Sequence, residues 1–489
     1  RSALLSGNVA YARATWSRVQ SQLDAYAEQL AGAYVEACEA TKVRDEETRK
    51  DLALREACLS TRASALRQTV SVLRRADAEV VERAVELVVA LPGIDACTDL
   101  EALRRAAAPS VAEPEQAQLR GLREQVAEAR VWKKAGKIDE GRAIIDEVLP
   151  HAEALGDGLL LAEARLVAGT LRADLGDLEG GTERLEQALD GALEHGADAL
   201  AVEALSTLIY LVGVDRAEPV AALMLGTVAQ GLVDRIEPEG IAKAQVLTAI
   251  GQAWFARGDL GRAQTRFERA LELLQAQVGD DHIELAEPLS SLAVVLRRRG
   301  QLDRAHLQYL RALDIRIHWQ GELHPQTANQ RINLAAVLIE RGEPEQAEQQ
   351  LRMALEVLIS APVRDDKTIA HARNTLGALL MDQRDYAASQ QQFRLAAEDW
   401  ERVHGPLHPN VAAARLNLGF ALRRDGKLAE AVEQYERSVK ILRSNELTLD
   451  RRKQLVKLLE ELATRLDALE RTAEADTYRA EAALLTSTR

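Results

Sequence analysis

Aromatic residues make up only 3% of this 489-residue chain, and proline occurs 12 times. Few aromatic runs and few turn formers leave little from which to build strands, so a parallel sheet is not expected. No stretch approaches the roughly 18 to 20 continuous apolar residues of a membrane span. The opening RSALLSGNVA lacks the charged start, apolar run and cleavage site of a secretory leader. Positive charge is also in deficit: the formal net charge is −14 and the pI is near 5.3. Binding to nucleic acid or to an anionic membrane needs a net basic face. Neutral or basic peptides remain as the expected partners. Because the chain starts with Arg1 rather than Met, it reads as a piece of a longer protein.

What is present favours helix. Hydrophobic residues reach 47%, ample for buried cores, and Ala, Leu, Arg and Glu dominate. These residues lose little side-chain freedom in a helix, so the chain reads as all-α. By length alone it would hold about three domains, but a repeat array escapes that arithmetic because each unit leans only on its neighbours.

The repeat is explicit. Segments RGDLGRA, RGQLDRA, RGEPEQA, QRDYAAS and DGKLAEA end on Ala263, Ala305, Ala347, Ser389 and Ala431, each 42 residues after the last. A second small-residue series, Gly251, Ala293, Ala335, Gly377 and Gly419, keeps the same 42-residue phase, with Leu or Ile before each member. Small residues at both places let two antiparallel helices approach closely. Gly258, Gly300, Gly342 and Gly426 lie in the turns between them, where the left-handed conformation that ends a helix favours glycine. Each unit is therefore a helix hairpin that cannot bury its apolar face alone. Stacking predicts a right-handed superhelical solenoid with a concave inner wall. Weaker signals at Gly141, Gly181, Ala221 and Ala475 extend it to about nine hairpins over residues 116–487, most regular over 240–443.

The segments LHPQTANQRINLAAVLIERGEPEQA and LHPNVAAARLNLGFALRRDGKLAEA resemble the tetratricopeptide repeat, in the long 42-residue form of kinesin light chains. That resemblance implies the hairpin fold and a binding role, and it leaves the ligand open, since one architecture serves many partners.

Residues 1–106 do not follow the repeat but are helical by period, and AAAPSVAEPE, with Pro109 and Pro114, reads as a linker over 107–115. The N-terminal block carries YARATWSRVQSQLDAYA, ACEATKVRDEETRKDLALREACLSTRASALRQTVSVL and ADAEVVERAVELVVALPGIDACTDLEAL. These resemble the segment between membrane anchor and repeats in tetratricopeptide-bearing bacterial serine/threonine protein kinases of the myxobacterial kind. Asp45 departs from the pattern, standing where a Gly is expected. The chain holds no Gly-rich loop with a following Lys, no His-Arg-Asp loop and no Asp-Phe-Gly. The resemblance thus implies the sensory half of such a kinase, outside the cytoplasm if the anchor lies just before Arg1.

Cys38, Cys58 and Cys97 admit two readings. They are small core residues of a helical block, or they form a disulfide framework in an oxidising compartment, with the odd member paired elsewhere. Their spacings hold no zinc geometry. His282, His324 and His408 share the 42-residue phase, and Pro325 and Pro409 follow two of them directly. This is the pattern of a helix start with Pro at its first position. No metal, cofactor or activated nucleophile is expected, so the chain reads as a non-enzyme.

The first helix of each hairpin should line the inner wall. Two residues before its small residue stand Ser291, Asn333, Thr375 and Asn417; three before stand Ser290 and Asn374; four and five after stand Arg297 with Arg298 and Arg423 with Arg424. An asparagine amide offers one carbonyl acceptor and an NH2 donor to an extended peptide backbone. By the resemblance to kinesin light chains, that role passes to Asn333, Asn374 and Asn417. The competing reading is that these amides cross-link neighbouring hairpins and that the arginines are solvated. Two functions follow: a sensory or docking module of a membrane-tethered kinase, or a free-standing scaffold without one.

Overall fold

The computed structural model describes residues 2–6, 9–106, 113–445 and 449–487, which are all-α with no strand. It comprises two compact units, Arg1–Thr327 and Ala328–Arg489. The first opens with helices α1 (Ser2–Ser6), α2 (Ala12–Lys42), α3 (Arg49–Arg74), α4 (Ala78–Glu82), α5 (Ala84–Val89) and α6 (Leu100–Ala106). Five hairpins follow: α7 (Glu113–Lys134) with α8 (Ile138–Leu155), α9 (Gly158–Asp174) with α10 (Leu178–Glu194), α11 (Asp198–Tyr210) with α12 (Pro219–Ile236), α13 (Ile241–Ala256) with α14 (Leu260–Val278), and α15 (Ala286–Arg298) with α16 (Leu302–Gln320). The second unit continues with α17 (Pro325–Glu340) and α18 (Pro344–Ser360), α19 (Asp366–Asp382) and α20 (Tyr386–His404), α21 (Pro409–Arg424) and α22 (Leu428–Arg443), and α23 (Leu449–Asp467) and α24 (Thr472–Ser487). Of the segment expected as a linker, residues 107–112 lie outside the described residues, and 113–115 belong to α7.

The hairpins close as the two small-residue series require. Ala263, Ala305, Ala347, Ser389 and Ala431 are all fully buried, and the Ser389 hydroxyl donates to the Gly377 carbonyl at 2.7 Å. A third series in the same phase fills the seam: Phe267, Tyr309, Leu351, Phe393 and Tyr435, none more than 1% exposed. A methyl group on Gly251, Gly377 or Gly419 would lie 2.9, 2.9 or 2.4 Å from the ring of Phe267, Phe393 or Tyr435. Glycine is what lets those rings lie flat on the opposing helix. In the turns, Gly258, Gly300, Gly342 and Gly426 have φ between 73° and 87°, and Arg384 holds the equivalent place at φ 66°.

The N-terminal helices form part of the first unit. Cys58 is disulfide-bonded to Cys97, with Cα atoms 5.6 Å apart, and Cys38 is not in a disulfide. Arg104 donates to the Asp51 carboxylate at 2.8 Å, and Asp51 closes a capping box with Thr48 at the start of α3. This block spans from the first hairpin to the fifth. Lys137 pairs with Asp77 at 2.5 Å and Glu79 at 2.8 Å, while Gln68 donates to the Glu124 carbonyl at 2.8 Å. At the other end Arg18 donates to the His318 carbonyl at 3.0 Å, and Gln320 donates to Glu86 at 2.5 Å.

Candidate binding groove

The first helices of the first unit face a cavity of about 550 Å3. Its lining obeys the inner-face count made from the sequence, transferred to the upstream hairpins. Relative to Gly169 of α9, Ile209 of α11 and Gly251 of α13, the lining residues include Ser206, Thr207, Thr248 and Ala249 two or three places before. Thr170, Tyr210 and Gln252 stand one after, and Ala173 and Asp174 four and five after. The α11/α12 hairpin deviates in one respect. Ala221, expected at its seam, is only half-buried, and Ala222 is fully buried in its stead. Between the helices the chain makes a π turn, Leu211–Asp215, whose extra residue shifts the phase by one. Such turns insert a residue without ending the helix and re-aim the side chains around them. Here Tyr210 and Asp215 both reach the cavity.

Four hydroxyls on this wall are engaged by their own helices. Thr170, Ser206, Thr207 and Thr248 donate to the carbonyls of Val167, Val202, Glu203 and Ala244 at 2.8 to 3.0 Å. The charged lining is mainly acidic: Asp174, Glu203, Asp215 and Glu284 against Lys133. Lys133 pairs with Asp174 at 3.4 Å, and Arg130 pairs with Glu203 at 2.6 Å. Burial, and then the charge of Asp174, raise the Asp215 carboxyl above its ordinary range. Burial and the charges of Asp215 and Glu287 likewise raise the Tyr210 phenol. A second cavity of about 680 Å3 shares Lys133, Asp174 and Glu284 with the first, and Arg83 and Glu86 of the N-terminal block line it. Burial raises the Glu86 carboxyl.

The residues singled out in the regular repeats take several roles. Ser290 is buried and its hydroxyl donates to the Ala286 carbonyl at 2.8 Å; Ser291 is half-buried. Arg297 is half-buried, whereas Arg298 is exposed with its guanidinium 5.2 Å from the Phe255 ring centre. In the second unit Asn333 is exposed, and Thr375 donates to the His371 carbonyl at 3.0 Å. Asn417 donates to the Asn374 side-chain carbonyl at 2.9 Å, joining α21 to α19. Arg423 lies 3.5 Å from Glu461, and Arg424 is exposed. Asn374 and Asn417 are thus brought together as a cross-link.

The phased histidines start helices. The Nδ1 atoms of His282, His324 and His408 accept from the backbone N–H of Glu284, Gln326 and Asn410 at 3.1 to 3.4 Å. Among the described residues, no group of three or more His, Cys, Asp or Glu is arranged to hold a metal ion. No described helix is long and apolar enough to cross a membrane.

Residues 242–318 and 368–444 match one model of the tetratricopeptide repeat, and residues 328–353 match another. The chain carries tetratricopeptide repeats. Among solved tetratricopeptide-like structures, BtubC (BKLC) from P. vanneervenii is 19% identical over 47% of this chain and 91% of that one, with a TM-score of 0.42. A putative kinesin light chain from Podosopora anserina, with nearly identical TPR-like repeats, is 14% identical over 44% of this chain and all of that one, at 0.39. The apo form of RapI is 17% identical over 58% of this chain and 99% of that one, at 0.42. No curated protein matches the chain.

Proposed function

We propose that this tetratricopeptide chain is a docking module that holds an extended segment of a partner protein along the inner faces of its first helices. The observation that carries this reading is the cavity of about 550 Å3, to which first helices α7, α9, α11, α13 and α15 or the turn leading into α15 all contribute. Its volume falls within the roughly 300–1,000 Å3 of ligand pockets, too little for a folded domain and enough for a few side chains. The lining mixes apolar floor, amides and charge, which suits recognition and holds no activated nucleophile. In the second unit the corresponding surface is the Asn374–Asn417 pair with Asn333. The bond between the pair uses one donor and one acceptor, and the remaining NH2 and carbonyl capacity matches a peptide backbone. Ser291, Arg298 and Arg424 flank these positions in the repeat frame.

The test fills the cavity. Ala249→Trp combined with Gln252→Trp should abolish capture of partners from the source cell while leaving the thermal melt of the second unit in place. Equal recovery with the filled variant would move the binding surface elsewhere.

Attachment to a membrane-anchored serine/threonine kinase is favoured by one further observation beside the N-terminal resemblance. The Cys58–Cys97 bond suits an oxidising compartment, where disulfides persist. The parent gene decides between this and a free-standing scaffold: a kinase core followed by one apolar span supports the first, and a start codon directly upstream supports the second.

A further inference from the structure

We infer that the cavity of the first unit recognises a cationic side chain, lysine or arginine, presented by an extended basic peptide, with Asp174, Tyr210 and Asp215 forming the recognition point. This rests on the docking reading above and names the chemistry of its ligand.

Three features on one stretch of wall support it. The π turn Leu211–Asp215 brings Tyr210 and Asp215 to the same cavity, whereas a continuous α-helix would set residues five apart on different sides. Asp174 reaches that cavity from the neighbouring first helix α9. Its negative charge is felt at Asp215, so the two carboxylates share one region of the wall. Asp174 is served by Lys133 at 3.4 Å, leaving the excess negative charge on the Asp215 side. The Tyr210 ring is 43% exposed, a large aromatic surface kept open at the cavity wall. A cation set against an aromatic face and beside carboxylates gains both ring and ionic attraction.

The surroundings select a long side chain on an extended backbone. Leu211, Ala249 and Leu274 supply an apolar floor for an aliphatic stem, and Gln245 and Gln252 supply amides for peptide groups. The net charge of −14 draws basic segments toward the molecule and repels acidic ones.

The probe is a short fluorescein-labelled peptide of alternating lysine and alanine carrying one photo-cross-linking benzoylphenylalanine, with glutamine and glutamate analogues of the same length. Anisotropy should give the lysine form about tenfold tighter binding than the glutamine form, as expected for a charge-assisted bond. Asp174→Asn and Asp215→Asn should each weaken it several-fold. Tyr210→Leu should weaken it, and Tyr210→Phe should not. Glu430→Gln, an equal change of charge on the second unit, should leave it unaltered. Cross-links should map to Gln245 or Gln252. Equal affinity for lysine and glutamine peptides, or no effect of both aspartate substitutions, would overturn the inference. If the glutamine peptide cross-links in the cavity as well as the lysine peptide does, the docking reading stands and the cationic one falls. If no peptide cross-links there, both fall.

Discussion

Asn417 and Asn374 meet side chain to side chain at 2.9 Å, one amide NH2 donating to the other's carbonyl between α21 and α19. Asn417→Ala should therefore destabilise the second unit by about 0.5–1.5 kcal/mol, the usual net value of such a bond. Asn333→Ala, at an exposed position, should stay within about 0.5 kcal/mol of wild type. Urea melts of the two variants separate a cross-linking amide from a free one. Equal losses would mean that Asn333 is engaged as well.

The seam between paired helices tolerates no added volume. A methyl group at Gly419 would lie 2.4 Å from the Tyr435 ring, and Ala347 has no exposed surface. Gly419→Ala and Ala347→Leu should each cost about 1–3 kcal/mol through overpacking. A near-zero change in a denaturant melt would show that the helices separate at little cost.

Arg384 occupies with φ 66° the turn position that Gly258, Gly300, Gly342 and Gly426 hold elsewhere. A non-glycine residue there costs about 1 kcal/mol in local strain. Arg384→Gly should recover part of it, raising the denaturant midpoint of the second unit while its far-ultraviolet spectrum stays the same. A lowered midpoint would mean that the arginine side chain contributes more than its backbone loses.

Cys58 and Cys97, 39 residues apart, are the disulfide pair of the N-terminal block. Alkylation of the native protein without reductant should label Cys38 alone, and reduction should release two further sites. Cys58→Ser with Cys97→Ser should lower the stability of the first unit by about 2–4 kcal/mol. Labelling of all three without reductant would dissolve the pairing.

His324 should make the first unit acid-sensitive. Its Nε2–H donates to the Glu82 carbonyl at 2.9 Å, its Nδ1 accepts from Gln326 N–H at 3.1 Å, and burial pushes its pKa down to about 4. The unfolded chain, with the ordinary value near 6.5, takes up the proton first. Stability is complete above about 6.5 and falls as the pH drops toward 4, by up to on the order of 3 kcal/mol. His324→Asn keeps a helix-capping side chain and should flatten the wild-type-specific loss between pH 7 and 5 in urea melts. Parallel pH profiles would assign the loss to other groups.

The regular heart of the fold was legible because backbone approach demands small residues at fixed places, and Ala263 through Ala431 record that demand in one phase. The groove was harder to read for a physical reason. The signal at 240–443 is strongest where seams are tightest, but the cavity belongs chiefly to upstream hairpins, where Gly169 and Ile209 are 40 residues apart and a π turn adds one more before Ala222. Applying the same inner-face count to those weaker hairpins would have found Asp174, Tyr210 and Gln252. Glu82, Glu86 and Arg18 gave no signal, since charged residues on a helix read as solvated until tertiary packing brings a partner such as Gln320 or His318. The cysteine spacings allowed either of the two readings, and only folding selects Cys58 with Cys97.

The match of Gly377 to Phe393 and of Gly419 to Tyr435 makes each hairpin a sealed cassette. Shuffling whole hairpins between positions would carry both halves of the fit along. A crossover falling between the two helices would press an alanine methyl into an aromatic ring, or leave a glycine facing leucine across a void. Length variation in arrays of this kind should therefore come in complete pairs of helices, with breakpoints in the loops that join one hairpin to the next.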